Sequence, residues 1–228
     1  MVDLKFSAII DVLPFLWEGL QYTLILTAGA IVGGILLGTA LALLRLSSFA
    51  PLRWVATCYV NLIRSIPLIL VLFWFFFLMP YIFQWIRGSE NPLPLEPTTT
   101  AFITFVMFEA AYFSEIIRAG IQSIAKGQVF AAHALGMSSF ATYRYVILPQ
   151  AFRNMLPLLL TQSIILFQDT SVVYVLSIND FVGAASKIAR RDGTLSEMYL
   201  FVAVVYLVLC VSLSYVVRRI HQKIKIIR

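Results

Sequence analysis

Five ionisable side chains stand inside or against long apolar runs of this sequence: Arg64, Glu109, Glu115, Arg118 and Asp169. Moving such a group into hydrocarbon is expensive, so each is expected to face a cavity or to pair with another polar group. Glu115 and Arg118 are three residues apart, which on a helix puts them on one face and predicts a local, structural ion pair. Arg64 and Asp169 have no such neighbour, so either they pair with each other between helices or they touch a substrate. Nothing in the chain points to catalysis. There is no GxxxxGK[ST] phosphate loop, which excludes ATP hydrolysis by that route. His133 and His221 stand in a polar loop and in the basic tail, with no Cys or acid spaced to complete a metal site.

The elements that position these groups are membrane helices. The 228-residue chain is 61% hydrophobic and 12% charged, whereas ordinary globular chains are about 25% charged. Too little polar side chain remains to cover a water-facing surface, so the composition predicts an all-α, multi-pass membrane protein forming a single domain over residues 1–228. The net charge of +6 then belongs to membrane edges rather than to a nucleic-acid site. Five spans are expected: Gly19–Leu44, Ile66–Ile86 (extended back towards Trp54, with Arg64 inside), Thr98–Ile121, Met155–Leu176 and Met198–Val217. The acidic N-terminus, with Asp3, Asp11 and Glu18 against Lys5, argues against a cleaved signal peptide. In the first span, Gly29, Gly33, Gly34 and Gly38 form two four-residue spacings that allow close helix contact. Ser89–Pro97, with Pro92 and Pro94, reads as a short loop. Cys58 and Cys210 read as small buried hydrophobes.

An odd number of spans puts the termini on opposite sides. Segments on the side of the C-terminus hold 11 Lys and Arg against 5 on the other, which favours N-terminus out and C-terminus in. The cluster Lys187, Arg190 and Arg191 dissents by falling outside. The basic run Arg218–Arg228 is expected to anchor at anionic lipid. On this topology the polar interruption Lys126–Arg153, which contains no acid, is cytoplasmic. Gln128–Leu135 predicts a short helix stopped by Gly136. Ser138 and Ser139 then cap a second helix from about Phe140 to Leu148, where Pro149 breaks it. Two short helices meeting at a glycine make a knob narrow enough to enter a cleft, or an interfacial pair lying on the membrane.

Several segments together resemble a known family. They are Gly127-Gln128, Ala131-Ala132, Ala134-Leu135-Gly136 and Ile147-Leu148-Pro149-Gln150-Ala151, joined by Arg64-Ser65-Ile66-Pro67-Leu68, Glu115-Ile116-Ile117-Arg118-Ala119-Gly120-Ile121 and Gln168-Asp169-Thr170-Ser171. The pattern resembles the permease subunits of ABC importers, in the polar amino-acid subfamily. Met107-Phe108-Glu109-Ala110-Ala111-Tyr112 and Asn61-Leu62-Ile63 extend the likeness towards glutamate/aspartate permeases. The resemblance implies a type I importer transmembrane domain of five helices with a cytoplasmic coupling helix, in a bacterial cytoplasmic membrane. It also implies that ATP and Mg²⁺ act on a partner, an ABC ATPase homodimer. A second permease subunit, identical or similar, and a periplasmic or surface amino-acid-binding protein complete the implied assembly.

On this resemblance, Gly127, Gln128, Phe130, Ala131, Ala132, Leu135, Gly136 and Pro149 are the ATPase-coupling residues. Phe130 departs from the family, which usually has an acid there, so apolar packing is expected to replace a polar contact. Arg64, Ser65, Asp169, Thr170 and Ser171 are the substrate-path candidates. Arg64 would take a substrate carboxylate with bidentate geometry and Asp169 the ammonium, unless these residues are scaffold and selectivity resides in the binding protein. The alternative function is an ion-coupled secondary transporter using Glu109, Glu115 and Asp169, although five spans without an inverted repeat fit it poorly.

Overall fold

The computed structural model describes residues 7–88, 90–92 and 95–224. Lys5, Ser89, Pro94, Lys225 and Arg228, which entered the loop and charge readings, lie outside those residues. Regular structure among the described residues is helical, and five helices are long and apolar enough to cross a membrane. In chain order, α1 is Ser7–Leu46, α2 is Ala50–Arg64, α3 is Leu68–Arg87 and α4 is Pro97–Gln122. Then come α5 at Lys126–Ala134, α6 at Ser139–Leu176, α7 at Phe181–Asp192 and α8 at Leu195–Ile224. The spans are α1, α3, α4, α6 and α8.

Three departures from the expected elements have local causes. The second span does not extend back towards Trp54, because α2 is a separate helix ending at Arg64 and α3 starts at Leu68. A proline disfavours helix in the residue before it, and Pro67 itself is extended at φ −57°, ψ 137°. Arg64 therefore sits at a helix end beside a break, not within a span. Pro149 does not break its helix. A proline ring crowds the carbonyl four residues back, and here the π turn Tyr143–Ile147 opens the helix around Tyr145 so that it continues. From just beyond the turn, Gln150 Nε2 donates to the Val146 carbonyl at 2.9 Å. Finally, the segment read as an outer connection contains a third departure, the helix α7.

The glycine stripe of α1 is the contact face for α4. A Cβ on Gly29 would lie 2.4 Å from the Phe102 ring, one on Gly33 2.8 Å from Val106, and one on Gly38 2.9 Å from the Ala110 carbonyl. Helices that approach this closely bury side chains that would otherwise stand between them. Phe105 and Phe113 of α4 are fully buried as a result. α7 packs beneath the N-terminal half of α1 and the start of α8 through Leu16, Phe181, Ala184, Ile188 and Met198. Its N-terminus is tied down by Asp180, whose carboxylate accepts from Val182 N–H at 3.1 Å and Gly183 N–H at 2.9 Å. The Phe181 N–H donates to Thr23 Oγ1 of α1 at 3.1 Å. Burial pushes the Asp180 carboxyl up to about 6, against the pull of those two backbone donors. Cys210 is buried as expected, whereas Cys58 faces outward from α2.

Candidate functional site

The break after α2 and the last α-helical turns of α6 face one another across a cavity of about 490 Å³. Arg64, Ser65 and Pro67 form one wall, Phe108 and Tyr112 of α4 the back, and Gln162 and Asp169 of α6 the opposite side. Gln162 and Asp169 are seven residues apart, two helical turns, and so share one face of α6. The cavity is thus polar at both sides and aromatic behind, with a cation at the α2 end and oxygen acceptors along α6.

Arg64 and Asp169 line this cavity together but make no ion pair with each other. The Arg64 guanidinium instead stands 5.4 Å above the Tyr112 ring and 3.9 Å from the Glu115 carboxylate. Glu115 is the hub of a larger cluster. It pairs with Arg118, in the i, i+3 arrangement expected from the spacing, and with Arg45 of α1 at 2.5 Å. Arg45 was not a candidate, since the sequence places it only among the edge charges; nothing local marks a partner 70 residues away. Glu109 is fully buried, and Gln162 Nε2 donates to its carboxyl oxygens at 3.1 and 3.5 Å. That contact turns the Gln162 amide nitrogen towards Glu109. Thr170 and Ser171 do not line the cavity. Thr170 is fully buried with its hydroxyl donating to the Phe167 carbonyl at 2.7 Å, because α6 tightens into a 3₁₀ helix over Thr170–Leu176. Ser65 stays at the rim, its hydroxyl donating to the Asn61 carbonyl at 2.7 Å. No group of three or more His, Cys, Asp or Glu among the described residues is placed to hold a metal.

A second feature stands at the start of α6. α5 ends in a Schellman turn: Gly136 adopts φ +77°, its N–H donates to His133, and the Met137 N–H reaches back to Ala132 at 3.1 Å. Ser138 Oγ then accepts the Ala141 N–H at 3.2 Å and caps α6. The hairpin is anchored from within by Ile124, Ile147 and Ala151, and Ala132 is buried. Gly127, Gln128, Ala131 and Pro149 lie on its outside. Phe130, Leu135 and Phe140 are 68%, 83% and 75% exposed, large apolar groups on an outer surface. Patches of this kind mark contacts with protein or membrane.

Known proteins resemble this chain in sequence and in fold. The glutamate/aspartate import permease protein GltK of Escherichia coli O6:H1 is 52% identical over 225 residues, covering 98% of this chain and 99% of that protein. The glutamine transport system permease protein GlnP of Escherichia coli K12 is 33% identical over 226 residues, covering 99% of this chain and all of that protein. Among solved structures, an amino acid ABC transporter crystallised with histidines superposes with a TM-score of 0.88 at 30% identity, over 97% of this chain and 100% of the other. The MetNI methionine ABC transporter in an inward-facing form shares the fold, with a TM-score of 0.68 at 20% identity over 97% of this chain and 100% of that one. These relatives give no support to an ion-driven transporter. The family described as binding-protein-dependent transport system inner membrane component matches residues 34–226, and the chain belongs to that family, the membrane permeases of ABC importers.

Proposed function

We propose that this permease forms half of the translocation path for acidic amino acids, glutamate or aspartate, and that a separate ABC ATPase drives it. The observation that carries the substrate reading is the 52% identity to GltK over nearly the whole of both chains. The cavity supports it chemically. An acidic amino acid carries two carboxylates and one ammonium, and Arg64 with Asp169 and Gln162 offers groups for both signs within one space. The ATPase reading rests on the hairpin. Its exposed Phe130, Leu135 and Phe140 offer apolar side chains for such a partner. The reading sets the hairpin and C-terminus in the cytoplasm of a bacterial inner membrane and the N-terminus outside. A second permease subunit and an external binding protein complete the importer.

Access to the cavity alternates as the ATPases close on nucleotide, pull the hairpin, and tilt α6 against α4. The experiment is uptake by the importer reconstituted in liposomes with ATP inside and competing amino acids outside. Glutamate or aspartate is expected to compete best, and dominant competition by a neutral or basic amino acid refutes the substrate reading. Arg64→Ala, at normal expression and assembly, is expected to lower uptake; unchanged uptake refutes direct contact by Arg64.

A further inference from the structure

The outer cluster Lys187, Arg190 and Arg191 runs against the charge bias of the rest of the chain, and the cavity does not use it. On α7 its members divide. Arg191 pairs with Asp192 at 2.6 Å, whereas Lys187 and Arg190 make no ion pair among the described residues. Those two are one helical turn apart and line a separate pocket of about 200 Å³ with Tyr174, Ser177, Gly183 and Ser186. Ser186 is 95% buried and already accepts from Tyr199 O–H at 3.3 Å, so its own hydroxyl proton is free to donate. Ser177 closes the rim at φ 61°, the one non-glycine residue with positive φ among those described. Left-handed backbone costs a serine about 1–2 kcal/mol, and such strain concentrates at functional sites.

The pocket's place in the fold gives it a direction. α6 runs 38 residues from the hairpin to Leu176, about 57 Å at 1.5 Å per residue, so this pocket lies at the opposite end of the bundle from the hairpin. Its Tyr174 belongs to the 3₁₀ segment Thr170–Leu176, which follows directly on Asp169 of the central cavity. A small concave site with a hydroxyl and two cations that make no ion pair among the described residues, and with no acid in its lining, suits a carboxylate.

We propose that this pocket is an anion site at the outer mouth that takes the side-chain carboxylate of an acidic amino acid on its way to the Arg64–Asp169 cavity. The proposal rests on the acidic substrate and inward direction argued above. Two donors on α7 hold the carboxylate where external protein releases its cargo, and they do so weakly enough for it to move on.

The test is uptake by the complete importer in liposomes, with the concentration of glutamate-loaded binding protein varied. Lys187→Gln with Arg190→Gln is expected to lower maximal glutamate uptake about tenfold while leaving the half-saturating binding-protein concentration unchanged. Lys187→Arg, which keeps the charge, is expected to retain at least half of the uptake. A raised half-saturating concentration at unchanged maximal uptake assigns the carboxylate to the binding protein's surface and overturns the substrate site. Unchanged kinetics in the double variant, or an equal loss in Lys187→Arg, also overturns it. Acidic uptake by the unmutated importer together with any of these results sinks this site alone. An unmutated importer that carries only neutral or basic amino acids sinks the substrate reading and this site with it.

Discussion

Glu115 is the side chain whose loss the structure predicts most sharply. Its carboxylate receives Arg45 of α1, Arg118 of its own helix and, more distantly, Arg64 at the cavity. The three cations differ in what they lose when it goes. The Arg45 side chain is 8% exposed and its Nε has no hydrogen-bond partner, so the carboxylate is its main compensation. Breaking a buried pair by removing one partner costs about 3–5 kcal/mol, because the other charge stays buried alone. Arg64 is 39% exposed and 3.9 Å away, a contact in the surface range of about 0–1 kcal/mol. Arg118 lies between the two and keeps a second partner in Gln122.

The expected result is therefore uneven. For Glu115→Gln, a loss of about 3–5 kcal/mol corresponds to a fall in Tm of roughly 6–20 °C for a chain of this size. Arg64→Gln is expected to shift it by under about 4 °C. Size-exclusion chromatography of detergent-solubilised protein after graded heating reads both. The companion variant Arg45→Met with Glu115→Leu, which removes both charges, is expected to recover most of the loss, since apolar replacements of a buried pair are often neutral or stabilising. A Glu115→Gln protein that melts within about 2 °C of the unmutated one refutes the assignment of Arg45 as the dependent charge.

Four further outcomes follow from the same structure. Gly38→Ala puts a Cβ 2.9 Å from the Ala110 carbonyl and 3.0 Å from the Ser114 nitrogen, backbone atoms that cannot rotate away, and should destabilise by about 1–3 kcal/mol. Gly127→Ala in the exposed start of α5 meets nothing within 4 Å and should stabilise by up to about 1 kcal/mol, so a melting comparison of the two variants checks the packing argument. Asp180 is held above its ordinary value of 3.8, at about 6, so the folded state keeps a proton that the unfolded state has lost between those values. Its contribution to stability is greatest below the lower value and falls as pH rises through the upper one; Asp180→Asn should flatten that dependence while still capping α7, and Asp180→Ala should cost about 1 kcal/mol through the lost cap. Gly136→Pro cannot adopt φ +77°, so it should abolish ATP-coupled uptake while the spans still assemble, and normal uptake in that variant refutes the hairpin's role.

The number of spans, the glycine stripe on α1 and the Glu115–Arg118 pair were legible because each depends on residues close in sequence. A charge-free run, a four-residue spacing and an i, i+3 pair are all local patterns. Arg45 was not legible, because its partner lies on another helix and depends on how α1 crosses α4. Thr170 and Ser171 were misplaced for a related reason. Their polarity next to Asp169 suggested a common face, but the 3₁₀ turn at Thr170 changes the angle per residue and sends its side chain into the core. Pro149 misled in the other direction: a breaking signal on its own, it is absorbed by a π turn that no composition rule announces. α7 was hidden because its first residues depend on Asp180 as a cap and on Thr23 from α1.

The π turn matters beyond its own register, because it decides how motion travels. Had Pro149 broken the chain as its sequence suggests, the hairpin would hang on a flexible joint and a pull on Phe130 would be lost there. Instead α6 is continuous from Ser139 to Leu176, with the apolar hairpin face at one end and Gln162 and Asp169 further along the same body. α4 enters the hairpin from the other side and carries Tyr112 and Glu115. The cavity's remaining wall sits at the interruption between Arg64 and Leu68, outside α6, with the Arg64 guanidinium resting against Tyr112 and Glu115 of α4. On the proposed mechanism, displacing the hairpin moves the oxygen acceptors of α6 relative to the Arg64 guanidinium. On the proposed function, a substrate held between Arg64 and the acceptors of α6 would be released when the two part, and an ATPase acting on the hairpin would reach the cavity mechanically without any group of its own touching the substrate.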